Sequence, residues 1–433
     1  LLVAGAAMVV LGVTAIFALT AGLQSFLRSE SFRRLVSEKT CAALKARGEF
    51  MPLQFSGSMI YSEGFQATGN EQAFFSTLRA DQIRAELDLR ALYHRALRIN
   101  ELRIERLTLQ GKTPHAAHAI AQAAPERRPF FAPTSLDLRS VFIRETNFSW
   151  SGVSGAVRKA ALTIKPDGRS WDIMGEGGDV AQQGLPDLQI QTVKLRYQSP
   201  SLFVTDSVLT AADGGRLTLN GEANFERSVD LRMTIASMPV TPFLKGDWRA
   251  RLKGTFSGEI KMTAALPLAG APSFNGTLHM NQGQIEALPL LNQIALFTRT
   301  EQFRSLRLSR MSLDFAHDGT LLTVKNFLAE SEGLIRAEGA FVVRGGQIEG
   351  NFEIGVTPGS LQWIPGSQSR VFTVARGGYL WTSVRVSGAA EHPSEDLSAR
   401  LIVAAGNELL ENPGSTLKKA AEGLLDIVKP LLK

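Results

Sequence analysis

The chain has 433 residues, 44% of them apolar and 20% charged, with one cysteine and a net charge of +6. That apolar content excludes a disordered chain, and a single cysteine excludes a disulfide framework or a multi-cysteine metal site. The basic excess is spread along the chain without a long basic run, which argues against nucleic acid as a partner.

Leu1 to Leu27 carry no charged residue. At 1.5 Å per residue, about 20 helical residues cross a hydrocarbon layer roughly 30 Å thick, so residues 1–23 read as a transmembrane anchor. A cleaved signal peptide ending near Thr20-Ala21-Gly22 competes, but its apolar region spans only about 7–15 residues. The sequence opens on Leu1 rather than Met, and a start further upstream is expected. Arg28, Arg33, Arg34 and Lys39 follow the anchor. The positive-inside rule alone would place them in the cytoplasm, whereas long domains translocate largely regardless of charge, so these residues leave the topology open.

Residues 24–47 form the next element. Ser25 to Arg47 lack Gly and Pro, and Phe32, Leu35, Val36 and Ala43 fit one helical face, with Gly48 as the expected stop. Cys41 on this segment has no His or second Cys near it and reads as a small packing residue. Beyond Phe50 the period changes to two, as in Ile83, Ala85, Leu87 and Leu89 alternating with Arg84, Glu86 and Asp88. Such alternation marks strands with one buried and one wet face. A first β block at 48–111 is followed by an Ala-, Pro- and His-rich loop at 112–133. Middle β repeats fill 134–265, and a C-terminal β module fills 266–411. Within that module, Pro289 to Arg304 has the spacing of a short helix. Residues 412–433 form an amphipathic helix with Leu417, Leu424, Leu425 and Val428 on one side, suited either to packing on the sheet or to engaging a membrane or a partner.

An octad, apolar-x-apolar-x-x-apolar-x-apolar, recurs at Leu102–Leu109, Leu136–Ile143, Leu188–Leu195 and Leu306–Leu313. The last two copies continue to match for some fifty residues, pairing Gly221 with Gly339, Met233 with Phe352, Ile235 with Ile354 and Pro239 with Pro358. Units that cannot bury their apolar faces alone must stack, and the x-x step predicts a bulge or bend. The expected fold is therefore mainly β. It is an elongated, curved, repeat-built antiparallel sheet, either closed as a packed core or open as an apolar groove. Val229, Leu231, Met233 and Ile235 should share one face with Phe352, Ile354 and Val356, and in the open form they would line the groove.

Catalytic chemistry finds little support. His115 and His118 have metal-like spacing but sit in the loop without a third ligand. Gly152-Val153-Ser154-Gly155 misses a nucleophile-elbow spacing, and no Gly-rich turn precedes a phosphate-binding Lys. No catalytic residue, metal site or cofactor is expected.

The segment from Phe274-Asn275-Gly276-Thr277-Leu278 through Gly283 and Ile285 to Leu288-Pro289-Leu290-Leu291 resembles the C-terminal module of the AsmA-like family. So do Leu306 to Phe315, Asp318-Gly319-Thr320-Leu321-Leu322 and Gly333 to Gly339. The start, an anchor followed by Ser31-Phe32-Arg33-Arg34 and then Ile83 to Leu109, is similar as well. The resemblance implies a bacterial inner-membrane anchor, a body in the periplasm, and a β-groove taking part in phospholipid traffic and outer-membrane integrity. Its implied partners are phospholipid or another acyl-chain lipid, the inner membrane and a further envelope protein. A scaffold for outer-membrane biogenesis, with a solid-packed sheet and no lipid, is the alternative expectation.

Overall fold

The computed structural model describes residues 28–71, 73–88, 91, 96–112, 135–150, 154–244, 246–265, 271–286, 305–362 and 364–411. Among them no helix is long and apolar enough to cross a membrane. The apolar run 1–23, the helix expected at 289–304 and the terminal helix carrying Leu417, Leu424, Leu425 and Val428 lie outside the described residues. The fold is mainly β, and the chain divides into two compact units, Leu1–Leu209 and Thr210–Lys433. The division falls inside the stretch 134–265 that the sequence suggests as one block.

Unit 1 begins with helix α1 (Glu30–Leu44), capped by the Ser29 hydroxyl accepting from the Phe32 N–H. The helix stops at Lys45 in the left-handed region, whose N–H donates to Cys41 and Ala42 carbonyls. Gly48, the expected stop, instead lies in strand β1 (Ala46–Phe50). A Cβ there would sit 2.1 Å from the Gln66 carbonyl, so the residue serves close strand approach rather than helix termination. Strands β2 (Leu53–Ser56), β3 (Met59–Gly69), β4 (Phe75–Asp88) and β5 (Ala96–Gly111) follow. β1 and β2 both pair with β3, and β3, β4 and β5 pair antiparallel in sequence order.

The expectation of a wholly antiparallel sheet fails at the next step. β6 (Ser135–Leu138) and β7 (Val141–Trp150) both run parallel to β5, making the sheet mixed. A parallel neighbour needs a connection long enough to carry the chain back along the strand. The stretch between Gly111 and Ser135, which the sequence suggests is only a loop, provides that length. β8 (Gly155–Asp167) pairs with β7, then with β9 (Ser170–Glu176) and β10 (Asp179–Gln182), and these two pair with β11 (Leu188–Gln198). β12 (Ser201–Ala211) spans the division between the units.

Unit 2 is antiparallel. The strands β13 (Arg216–Asn224), β14 (Ser228–Pro239), β15 (Leu252–Ala265) and β16 (Ser273–Glu286) pair in order. β16 then pairs with β17 (Ser305–Leu308) and β18 (Arg310–His317). β19 (Leu321–Ser331), β20 (Ile335–Arg344) and β21 (Gln347–Val356) continue from β18. β23 (Tyr379–Ala389) lies beside β21, with the short β22 (Val374–Arg376) and β24 (Ser394–Glu395) on its other side. Helix α2 (Trp248–Arg251) precedes β15, and α3 (Pro358–Leu361) follows β21. Helix α4 (Leu397–Glu411) ends the module, at a place where the sequence reading has no helix.

The fifty-residue repeat is visible strand by strand. β11 to β14 correspond to β17/β18, β19, β20 and β21, and Pro239 and Pro358 each lead into a short helical turn. The x-x step also has its bend. In two octads it is a break between strands, β6 to β7 and β17 to β18. Bends elsewhere use left-handed backbone at Gln82, Lys159, Asp206, Ser237 and Asn326, each inside a strand. Around Ser237 and Asn326 the register slips, so Ile235 and Met238, or Val324 and Phe327, point to the same side although three residues apart.

Candidate lipid-binding face

Residues directly opposite each other on paired strands share a face, so register alone traces the sides of the unit 2 sheet. One row runs Leu219, Met233, Ile260, Gly276, Phe315, Val324, Phe341, Gly350 and Val386 across nine strands. The next row on that side runs Gly221, Leu231, Met262, Phe274, His317, Leu322, Val343, Ile348 and Gly388. Between these rows, on the opposite side, lie Asn220, Arg232, Lys261, Asn275, Ala316, Thr323, Val342, Glu349 and Ser387. Apart from His317, one face is thus lined by apolar residues and glycines over the whole width, and the other is mostly polar.

The polar face is tied together by its own charges. Lys261 pairs with Asp230 at 2.7 Å, Arg385 with Glu349 at 3.1 Å, and Arg336 with Glu338 at 2.7 Å. Asp314 accepts from the Thr277 hydroxyl and the Asn326 amide, both at 2.7 Å. The Asn326 bond first, then the Thr277 bond, hold its carboxyl below the usual aspartate range.

The apolar face changes along the strands. At one end it is filled: Val356, Leu361, Phe372, Leu397 and Leu401 form a packed cluster with Val384 and Ile335, and Val356 and Phe372 are 0% exposed. Helix α4 lies on this end, fixed by the Glu395 carboxylate accepting from the Ser398 N–H and by Arg400 donating to the Ser383 carbonyl. Farther along the strands, Leu231, Met262, Phe274, Leu322, Val343 and Ile348 are only half-buried. Phe327, Phe341 and Phe352 form an aromatic floor between the two regimes, with ring centroids 5.7 to 6.2 Å apart.

The seven residues expected on the apolar face all lie on it. Their environments differ. Val229, Leu231, Met233 and Phe352 are half-buried, and Ile235 is buried. Ile354 packs against the filled cluster, and Val356 belongs to it, so these two are part of a core rather than of an accessible wall. Glycines along the face make room for bulk: a Cβ on Gly339 would lie 2.7 Å from the Phe352 ring and 2.5 Å from the Asn351 carbonyl.

Unit 1 has the same construction. Ile60, Ala85, Leu102, Val141, Ile164 and Ile173 share one face across six strands. Helix α1 covers the β1–β4 portion, with Phe32 against Ile60, Ala85 and Leu87, and Cys41 among Phe65, Phe75 and Leu78. The Cys41 thiol donates to the Gly48 carbonyl at 3.1 Å, and burial pushes its pKa up, which suits a packing role. Beyond the helix, Leu162, Ile164, Ile173 and Leu195 are half-buried. Thr146 is the exception in this floor, a buried side chain whose hydroxyl has no hydrogen-bond partner.

Among the described residues no three His, Cys, Asp or Glu side chains gather where they could hold a metal ion. His115, His118 and residues 152–153 lie outside the described residues, while Ser154 forms a turn and Gly155 opens β8. His279 points to the polar face opposite Ser257 and Ser312, and His317 receives the Gly319 N–H on its Nδ1. No known family pattern, no curated protein and no solved structure matches the chain.

Proposed function

We propose that the chain is a non-enzymatic envelope protein that shields lipid acyl chains in an apolar β-trough. The observation that carries this reading is the unit 2 face, apolar across nine strands yet, among the described residues, packed into buried clusters only at the α4 end and under Val240 and Leu244. A protein core fills its apolar face to near-crystalline density, whereas Leu231, Met262, Phe274 and Leu322 keep accessible surface. Extended apolar surface of this kind is a binding site for apolar matter, and each buried methylene contributes about 0.8 kcal/mol. Two acyl chains would meet a floor with few polar groups to desolvate.

The resemblance to the AsmA-like family extends the reading to location and cargo. The apolar run 1–23 anchors the chain in a bacterial inner membrane, the body lies in the periplasm, and phospholipid moving between inner and outer membranes is the cargo. Outer-membrane integrity depends on that traffic. Protein purified without added lipid should release phospholipid on organic extraction, in roughly stoichiometric amount. Extracts free of lipid from correctly folded protein would reject the trough. The filled cluster around Val356 and Phe372 supports the second reading, a scaffold for outer-membrane biogenesis that holds a further envelope protein and carries no lipid.

A further inference from the structure

Most connections in unit 2 are tight hairpins, such as the turn from Asn224 to Ser228. Residues 240–244 and 246–251, between β14 and β15, are different. Val240 and Leu244 pack on Leu252, Met280 and Leu308, and the Phe243 ring meets Phe256 edge-on at 5.3 Å. Phe256 and Met280 are cross-strand partners on the apolar side, so this connection lies over the face described above. Its far end touches the turn after β23. The Trp248 Nε1–H donates to the Ala390 carbonyl at 3.2 Å, and Asp247 Oδ2 lies 3.8 Å from His392 Nδ1. The Glu391 side chain stands beside Gly246. Ala390 is itself held by its N–H donating to Gly346.

β14 and β23 are separated in the ladder by β15, β16, β18, β19, β20 and β21. Seven strand spacings laid flat would put them roughly 34 Å apart. The contact between Trp248 and Ala390 therefore requires the sheet of unit 2 to curl until its two sides approach, with the connection passing between them. We propose that residues 240–244 and 246–251 belong to a strap latched across the apolar trough of unit 2, and that release from the Ala390–His392 turn admits an acyl chain. This rests on the lipid reading above. The near side of the strap has an apolar seat, while the far side is held by one neutral hydrogen bond and an exposed His–Asp contact. Gly246, at φ +54°, stands between the two. The device is fixed at one end and detachable at the other.

A reversible lock tests it. A Cβ on Gly246 would lie 3.9 Å from the Glu391 Cβ, inside the disulfide range of about 3.5–4.5 Å. The double variant Gly246→Cys/Glu391→Cys, in a Cys41→Ser background of the full chain, is assayed for uptake of a fluorescent-acyl phosphatidylethanolamine from vesicles. The oxidised form should load at least about tenfold more slowly than the reduced form, with the rate restored by reductant. Trp248→Phe keeps the ring and removes the donor, and should speed loading by about threefold, the factor that one neutral hydrogen bond supplies. Equal loading by oxidised and reduced protein would overturn the strap and leave the trough intact. Failure of every form to load, the unsubstituted chain included, would contradict the trough itself, and the strap with it.

Discussion

Thr146 places a hydroxyl in the unit 1 floor between Leu107 and Ala160, buried and without a partner. A buried, unsatisfied hydroxyl costs about 1–3 kcal/mol, so Thr146→Val, which keeps the shape, should raise stability by about 1 kcal/mol in denaturant unfolding. A loss of stability would mean that the hydroxyl is satisfied by a buried water. Gly339 is the opposite case, since a side chain there meets the Asn351 carbonyl as well as the Phe352 ring. Gly339→Val should cost about 1–3 kcal/mol by the same measurement. Asp314, whose folded pKa is lowered by Asn326 and Thr277, adds stability above the unfolded aspartate range that is lost as pH falls through the folded value. Asp314→Asn should therefore flatten the acid limb of the stability profile, and an unchanged limb would remove that contribution. At this scale the alternation of Val229 to Ile235 made the face legible. It could not separate Val356, sealed under Phe372, from Met233, because both are apolar residues on the same side.

At the scale of elements, helices decide where the apolar faces are filled. Phe32, 1% exposed, anchors α1 to the unit 1 sheet, so Phe32→Ala should cost about 3–5 kcal/mol. On α4, Leu401 is buried and Val403 is 61% exposed. Leu401→Ala should cost about 2–5 kcal/mol, whereas Val403→Ser should stay within about 0.5 kcal/mol, both read from thermal unfolding. Equal effects at the two positions would displace α4 from the sheet. α1 was legible because Ser25 to Arg47 contain neither Gly nor Pro. α4 carries a usable signal in the sequence: Leu397, Leu401, Ala404 and Ala405 fall at helical spacing and are all buried. The parallel pairing of β5 with β6 and β7 had no local signal, because side-chain alternation is the same whichever way the neighbour runs.

For the whole molecule, the repeat explains how so much apolar surface comes to lie on one face of the sheet within each unit. Each added strand contributes its alternate residues to the same face, and left-handed corners such as Ser237 and Asn326 restore the alternation where a strand bends. Polar cross-strand pairs, Lys261–Asp230 and Arg385–Glu349 among them, keep the other face wet. Pairs this exposed contribute little stability, about 0–1 kcal/mol each, and their effect is to mark which side faces water. The repeat and the two-faced pattern were readable from the residues. The strap was not, since its contact joins Trp248 to Ala390 across 142 positions.

The central claim is that the apolar face of unit 2, away from its filled end, is lined rather than filled and that lipid occupies it. Photo-crosslinking amino acids placed in living cells at Leu231 and Met233 on one face, and at Arg232 and Thr234 on the other, test it most directly. Phospholipid captured from Leu231 and Met233, with none from Arg232 and Thr234, is the expected result. Equal capture from both faces, or none from either, would contradict the trough and leave the scaffold.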